Sequence, residues 1–110
     1  MLKATTVLAG ALTAAIATSA AAEGELNIYS SRHYDTDEQL YSEFEAATGI
    51  TINRIEGNAD ELIARMNAEG ENSPADILIT VDTSRLTRAK DAGVLQSIKS
   101  DVLEARVPAY

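Results

Sequence analysis

The sequence of 110 residues contains no cysteine. That absence excludes disulfides, thiolate metal sites and cysteine nucleophiles together. Any metal site must therefore draw on oxygen and imidazole donors, and imidazole is itself scarce, because His33 is the sole histidine. Basic residues are few, nine against seventeen acids, and they stand singly among the acids. A phosphate backbone needs clustered Lys and Arg, so nucleic acid is excluded as an expected partner. The acidic balance reads as a solubility feature. Enzyme signatures are missing too, with no nucleophile elbow, phosphate loop or paired Cys and His, and catalysis is not expected. Nor do the acids form a calcium loop, since Asp35-x-Asp37 lacks the Asp or Asn and the Gly that an EF-hand places after them.

Only one long apolar run is present, from Val7 to Ala17. With Lys3 before it and small residues up to Ala22, residues 1–22 are expected to be a secretory signal peptide. The run is too short and too rich in Ala and Thr for a membrane span, which wants about 20 apolar residues. Cleavage after Ala22 removes one cation and moves the net charge from −8 to −9. The expected product is an acidic, exported chain without a membrane anchor. Without disulfides it must rely on its core, and a hydrophobic content of 45% is enough to build one.

After the leader the pattern alternates. Glu25 to Tyr29 alternates at period two and predicts a strand. Asp35 and Thr36 are candidate N-caps of a helix whose first turn carries Asp37 and Glu38. Leu40, Tyr41, Phe44 and Ala47 give that helix an apolar face, and Gly49 stops it. Ile50 to Glu56 is rich in β-branched residues and predicts a second strand. Asn58 and Glu61 have capping-box spacing ahead of the stripe Leu62, Ile63, Met66, which ends near Gly70. Ala75 to Thr80 is the most apolar strand candidate and reads as covered on both faces. Thr83 to Ala92 predicts a third helix with Leu86 and Ala89 inward. Val94 to Ile98 fits a short strand or turn, and a helical segment follows around Val102 to Ala105. Strand and helix in strict alternation imply an α/β domain, a parallel or mixed sheet with helices on both faces.

In such sheets ligands bind beyond the carboxyl ends of the strands. Three such ends are available. The first carries Ser30-Ser31-Arg32-His33-Tyr34, the second Gly57-Asn58 and the third Thr80-Val81-Asp82. If the first and third strands are neighbours, their loops face one crevice, which is the candidate site.

The run Tyr29-Ser30-Ser31-Arg32-His33-Tyr34, the step Ala46-Ala47-Thr48-Gly49-Ile50 and the turn Ser73-Pro74-Ala75-Asp76-Ile77 resemble the opening of periplasmic ferric-iron-binding proteins, the solute-binding proteins of ABC transporters. Gly93-Val94-Leu95-Gln96 is similar to the stretch that follows in them. The likeness runs from Glu25 to Pro108. It implies a periplasmic-binding-protein-like lobe, truncated, with residues 23–110 as part of the N-terminal lobe. The function it implies is capture of ferric iron, with a synergistic anion, and delivery to an inner-membrane ABC permease by a protein that is monomeric at full length. His33 and Tyr34 match first-lobe metal ligands of the family, and Ser31 and Arg32 are the candidates for the anion. Some relatives place an acidic ligand just after the third strand, where this chain has Val81, with Asp82 one position later. The adjacent tyrosines of the family's later half are absent from the sequence.

Each of these residues also has a plainer reading. His33 fits a capping or surface role, Tyr34 a surface aromatic, and Tyr29 and Tyr41 core packing. Arg32 fits a surface pair with Asp35 or Asp37, and Ser30 and Ser31 fit a turn. At the level of function, the alternatives are a binding protein for another small solute or oxyanion in the same cleft, and a truncated product without transport function.

Overall fold

In a computed structural model the described residues are 24–108, so the expected signal peptide, residues 1–22, lies outside them. Three strands, β1 (Gly24–Ser30), β2 (Ile50–Glu56) and β3 (Ile77–Ile79), form one sheet in the order β2-β1-β3. Both pairings are parallel, with Ser30 opposite Glu56 on one side and opposite Ile79 on the other. Between the strands run α1 (Asp35–Thr48) and α2 (Ala59–Glu69), followed after β3 by α3 (Thr83–Asp91) and α4 (Asp101–Arg106). The sheet is thus parallel, with β1 in its centre.

The helices start and stop on local signals. Asn58 Oδ1 accepts the Asp60 N–H at 2.9 Å, so Asn58 caps α2 as expected, through the second helical residue. Gly49 ends α1 at φ 72, a left-handed conformation that costs glycine nothing, and its N–H donates to the Glu45 carbonyl. Asp82 caps α3, whose last turn carries Arg88 and Lys90 at the negative end of the helix dipole. One expectation fails here, because the N-cap of α1 is Tyr34, with no side-chain cap. Asp35 already has helical conformation, and the acids of the first turn supply the favourable charge instead.

Residues aligned across a parallel sheet point to the same face. The row Ile55–Tyr29–Leu78 faces α2, where Tyr29, Leu62 and Met66 form the centre of the core. Tyr29 is 1% exposed, and its hydroxyl donates to Glu69 at the end of α2 at 3.0 Å. Burial first, and the Glu69 carboxylate second, push that phenol above its usual value. Nearer the strands' amino ends the same face turns polar. Asn53 donates to Asn27 at 3.3 Å, and Asn27 donates to Asp76 at 3.4 Å.

The opposite face carries Arg54, which reaches α1 through a bidentate pair with Glu38 and lies 4.7 Å over the Tyr41 ring. Helices therefore cover both faces. The cover from α1 is thin, since none of its residues is buried and Leu40 is 64% exposed. Of the face expected for α1, Leu40 and Ala47 lie open, while Tyr41 and Phe44 are half-buried. The helix instead seals an edge: Glu45 Oε1 accepts the Ile52 N–H at 2.7 Å and Thr48 Oγ1 accepts the Ile50 N–H at 3.1 Å. These bonds occupy donors that an edge strand would otherwise leave open.

Three further expectations are corrected. β3 has three residues rather than six, and Ile77 is 41% exposed, because β3 has a strand partner on one side alone among the described residues. Leu86 is 45% exposed while Ala89 is fully buried, so α3 packs through the smaller side chain. Val94 to Ile98 is irregular, and Val94 alone joins the core.

Candidate functional site

Because the strands are parallel, their carboxyl ends and the amino ends of the following helices meet on one side. Hydrogen bonds lock the three ends together. Ser31 N–H donates to the Ile79 carbonyl at 3.0 Å, and Gly57 N–H donates to the Ser30 carbonyl at 3.1 Å. Ser30, fully buried, closes the turn by bonding both the N–H and the carbonyl of Arg32 through its hydroxyl. The crevice expected between the first and third loops is present, and the second loop joins it.

An open depression of about 410 Å³ lies there, lined by Ser31 and His33 from the first loop, Gly57, Asn58 and Ala59 from the second, and Val81 and Arg85 from the third. A smaller one, about 230 Å³, lies beside it and contains Arg32, His33 and Tyr34 together with Asp37, Arg54 and Glu56. His33 borders both. The structure thus brings His33 and Tyr34 together with Arg32, and sets Ser31 on the other side of His33.

The side chains differ in freedom. His33 and Tyr34 are both more than half exposed. Arg32 is committed: it forms a bidentate pair with Asp37 at 3.0 Å, and its guanidinium lies 4.9 Å over the Tyr34 ring. That pair holds the Asp37 carboxyl below its usual range and raises the arginine. Of the two surface partners considered for Arg32, Asp37 is the one it takes. Ser31 donates its hydroxyl to the Ile79 carbonyl at 3.3 Å, so it acts as a turn residue and that proton is already engaged.

Val81 is half exposed at the lip of the larger depression, whereas Asp82 turns away to cap α3. Asp82 accepts the Arg85 N–H and the Ser84 hydroxyl, each at 2.9 Å, and pairs with the Arg85 guanidinium. The Arg85 backbone bond first, then Ser84, lower its carboxyl from 3.8 to about 2. A carboxyl depressed on folding stabilises the protein above its ordinary value and loses that contribution as pH falls through the folded one. Thermal unfolding followed from pH 4 downward is therefore expected to show an acid-side fall that Asp82→Asn flattens. An unchanged profile would remove Asp82 from this role.

Among the described residues no three His, Asp or Glu side chains converge to hold a metal ion. His33 and Tyr34 could supply an imidazole nitrogen and a phenolate oxygen to a hard cation, which leaves most of its coordination sphere to other groups. Two residues of this site escaped the sequence reading. Arg85 was hidden by its ordinary place in a helix. Glu56 could have been found, because the last rung of a parallel strand beside β1 has to lie at the same end as the His33 loop.

No family model matches the chain. Iron uptake protein A1 of Synechocystis sp. is 54% identical over 97 residues, which is 88% of this chain and 27% of that protein. The major ferric iron-binding protein of Neisseria gonorrhoeae is 27% identical over 97 residues, 28% of its length. Among solved structures, Trichodesmium FutA (IdiA) in complex with iron and citrate ligands matches with a TM-score of 0.73 and 54% identity, over 77% of this chain and 27% of that one. The ferric binding protein from Campylobacter jejuni matches with a TM-score of 0.74 and 51% identity, over 76% and 27%. The chain thus spans about a quarter of the length of these relatives.

Proposed function

We propose that this chain, a homologue of the N-terminal part of the ferric-iron-binding solute-binding proteins, forms one wall of a cleft that captures ferric iron in the periplasm and presents it to an ABC-type permease. Residues 1–22 then serve as the export signal and 23–110 as part of the first lobe. The observation that carries the reading is the placement of His33 and Tyr34. They are adjacent and solvent-facing, on a loop whose start is pinned to β2 and β3 and whose end opens α1.

Iron is the cargo here. In this reading Tyr34 contributes a phenolate and His33 an imidazole. The charge of the ferric ion supplies what an isolated tyrosine lacks at neutral pH, since a free phenol titrates near ~10 and loses its proton only to a strong neighbouring field. Arg32, already stacked on Tyr34, adds positive charge beside the developing phenolate, and Asp37 fixes where that charge sits. An anion bound with the iron would lie beside Ser31 in the larger depression, whose lining includes the Arg85 side chain. The relatives are named for uptake and binding rather than for a reaction, which accords with a carrier. Among the described residues no helix is long and apolar enough to cross a membrane.

The test is titration of the protein with ferric iron followed in the visible. A purple-red phenolate charge-transfer band that rises to saturation and is removed by a strong chelator is the expected result. Saturable binding of another solute with no such band would replace this reading with that of a carrier for the other solute.

A further inference from the structure

Among the described residues, the carboxylate within 4.0 Å of His33 is that of Glu56: Oε2 lies 3.6 Å from His33 Nδ1. Its position follows from the register. Glu56 is the last rung of β2 and pairs with Ser30, the residue from which the His33 loop departs. The Gly57 to Ser30 bond holds those two strand ends together. The other oxygen of Glu56 is 3.4 Å from Arg54 Nη1, and Arg54 is anchored in turn to Glu38 by bonds of 2.5 and 3.0 Å. The carboxylate is thus steadied on one side by a fixed cation and offers its free oxygen to the imidazole.

We propose that Glu56 is a positioning residue for His33, accepting the Nδ1 proton and so presenting Nε2 as the nitrogen that faces the cleft. A neutral imidazole carries one N–H and one lone pair, and the partner of one nitrogen decides what the other can do. A separation of 3.6 Å is ion-pair distance. Both side chains are about half exposed and so free to rotate, and the proposed bond requires them to close to hydrogen-bond length of about 2.9 Å. A contact this exposed adds little to stability. Its effect is on which nitrogen is available, and carboxylate partners of metal-bound histidines typically contribute roughly 10- to 100-fold in metal affinity. That last consequence rests on the ferric-iron reading, whereas the ring assignment does not.

The test uses the fact that the chain has a single histidine. Long-range proton–nitrogen NMR of the iron-free protein at alkaline pH reports which ring nitrogen is protonated, with no ambiguity of assignment. The expected result is an Nδ1–H ring in the wild type, retained in Glu56→Gln, whose amide oxygen still accepts, and shifted toward Nε2–H in Glu56→Ala. Ferric affinity should fall roughly 10- to 100-fold in Glu56→Ala and less in Glu56→Gln. A wild-type Nε2–H ring, or a ring indifferent to Glu56→Ala, overturns the proposal. Loss of affinity without a change of tautomer also overturns it, by making Glu56 a ligand in its own right. If the tautomer responds as expected but no variant takes up iron, the positioning role stands and the ferric-iron reading fails.

Discussion

Replacing Tyr34 with phenylalanine is expected to weaken ferric binding by about 100-fold or more, beyond the loss typical of an outer-sphere partner, and to diminish the visible band. The substitution is clean because the phenylalanine ring preserves the surface on which Arg32 stacks at 4.9 Å and deletes the phenol alone. Tyr34 is 55% exposed, so the cost in stability should stay within about 0.5 kcal/mol. The two readouts together separate a ligand from a structural aromatic. Iron affinity collapses with thermal stability unchanged if Tyr34 binds the metal; both stay unchanged if it is surface dressing. The second outcome would sink Tyr34 as a ligand and leave His33 as the sole donor from this part of the chain.

Truncating Leu62 to alanine should give the largest loss of stability, about 2–5 kcal/mol. Leu62 is 4% exposed and packs with Tyr29 and Met66 in a small core with Ile55, Ala75, Leu78 and Val94 around it among the described residues. So few neighbours can collapse only partly into the space left, and the loss is large against the 5–15 kcal/mol that whole domains have. Urea unfolding should show a lower midpoint with an unchanged slope. Leu40→Ala on α1 is the control: its side chain is 64% exposed, and the change should be near neutral. Equal effects at the two positions would contradict the packing described for the α2 face.

Much of the fold was legible in the sequence because its signals are local. β2 begins and ends where the β-branched run does, and α2 buries Leu62, Ile63 and Met66 as their spacing requires. What was misread depends on neighbours. Period alone puts Leu40, Ala47 and Leu86 on apolar faces, but a face is buried only if something packs on it, and that is a tertiary fact. The shortness of β3 has the same origin. In the site, the crevice could be foreseen from the order of elements. The tie of Arg32 was legible as a choice between Asp35 and Asp37, of which it takes Asp37; the ties of Asp82 to the start of α3 and of Glu56 to His33 were not read, although the register of β2 places Glu56 beside the His33 loop.

The segments that carry the family likeness also divide by role. Ser73-Pro74-Ala75-Asp76 joins structure to structure: the Ser73 hydroxyl donates to Glu69 at 2.8 Å, and Asp76 exchanges bonds with the Asn27 backbone. Thr48-Gly49-Ile50 ends a helix and starts a strand. The stretch from Ser31 to Tyr34 differs in setting His33 and Tyr34 more than half exposed beside the strand ends.

The central position of β1 has a consequence for how the chain is made. Its partners arrive later, with Asn53 of β2 26 residues and Asp76 beside β3 49 residues beyond Asn27. Each newcomer adds to a vacant flank, β2 on one side and β3 on the other, and none has to wedge between strands already joined. A polypeptide emerging amino end first, from a ribosome or through a membrane pore, can therefore assemble this sheet in the order of its synthesis, at the cost of leaving its first strand unpaired until a whole helix has followed it.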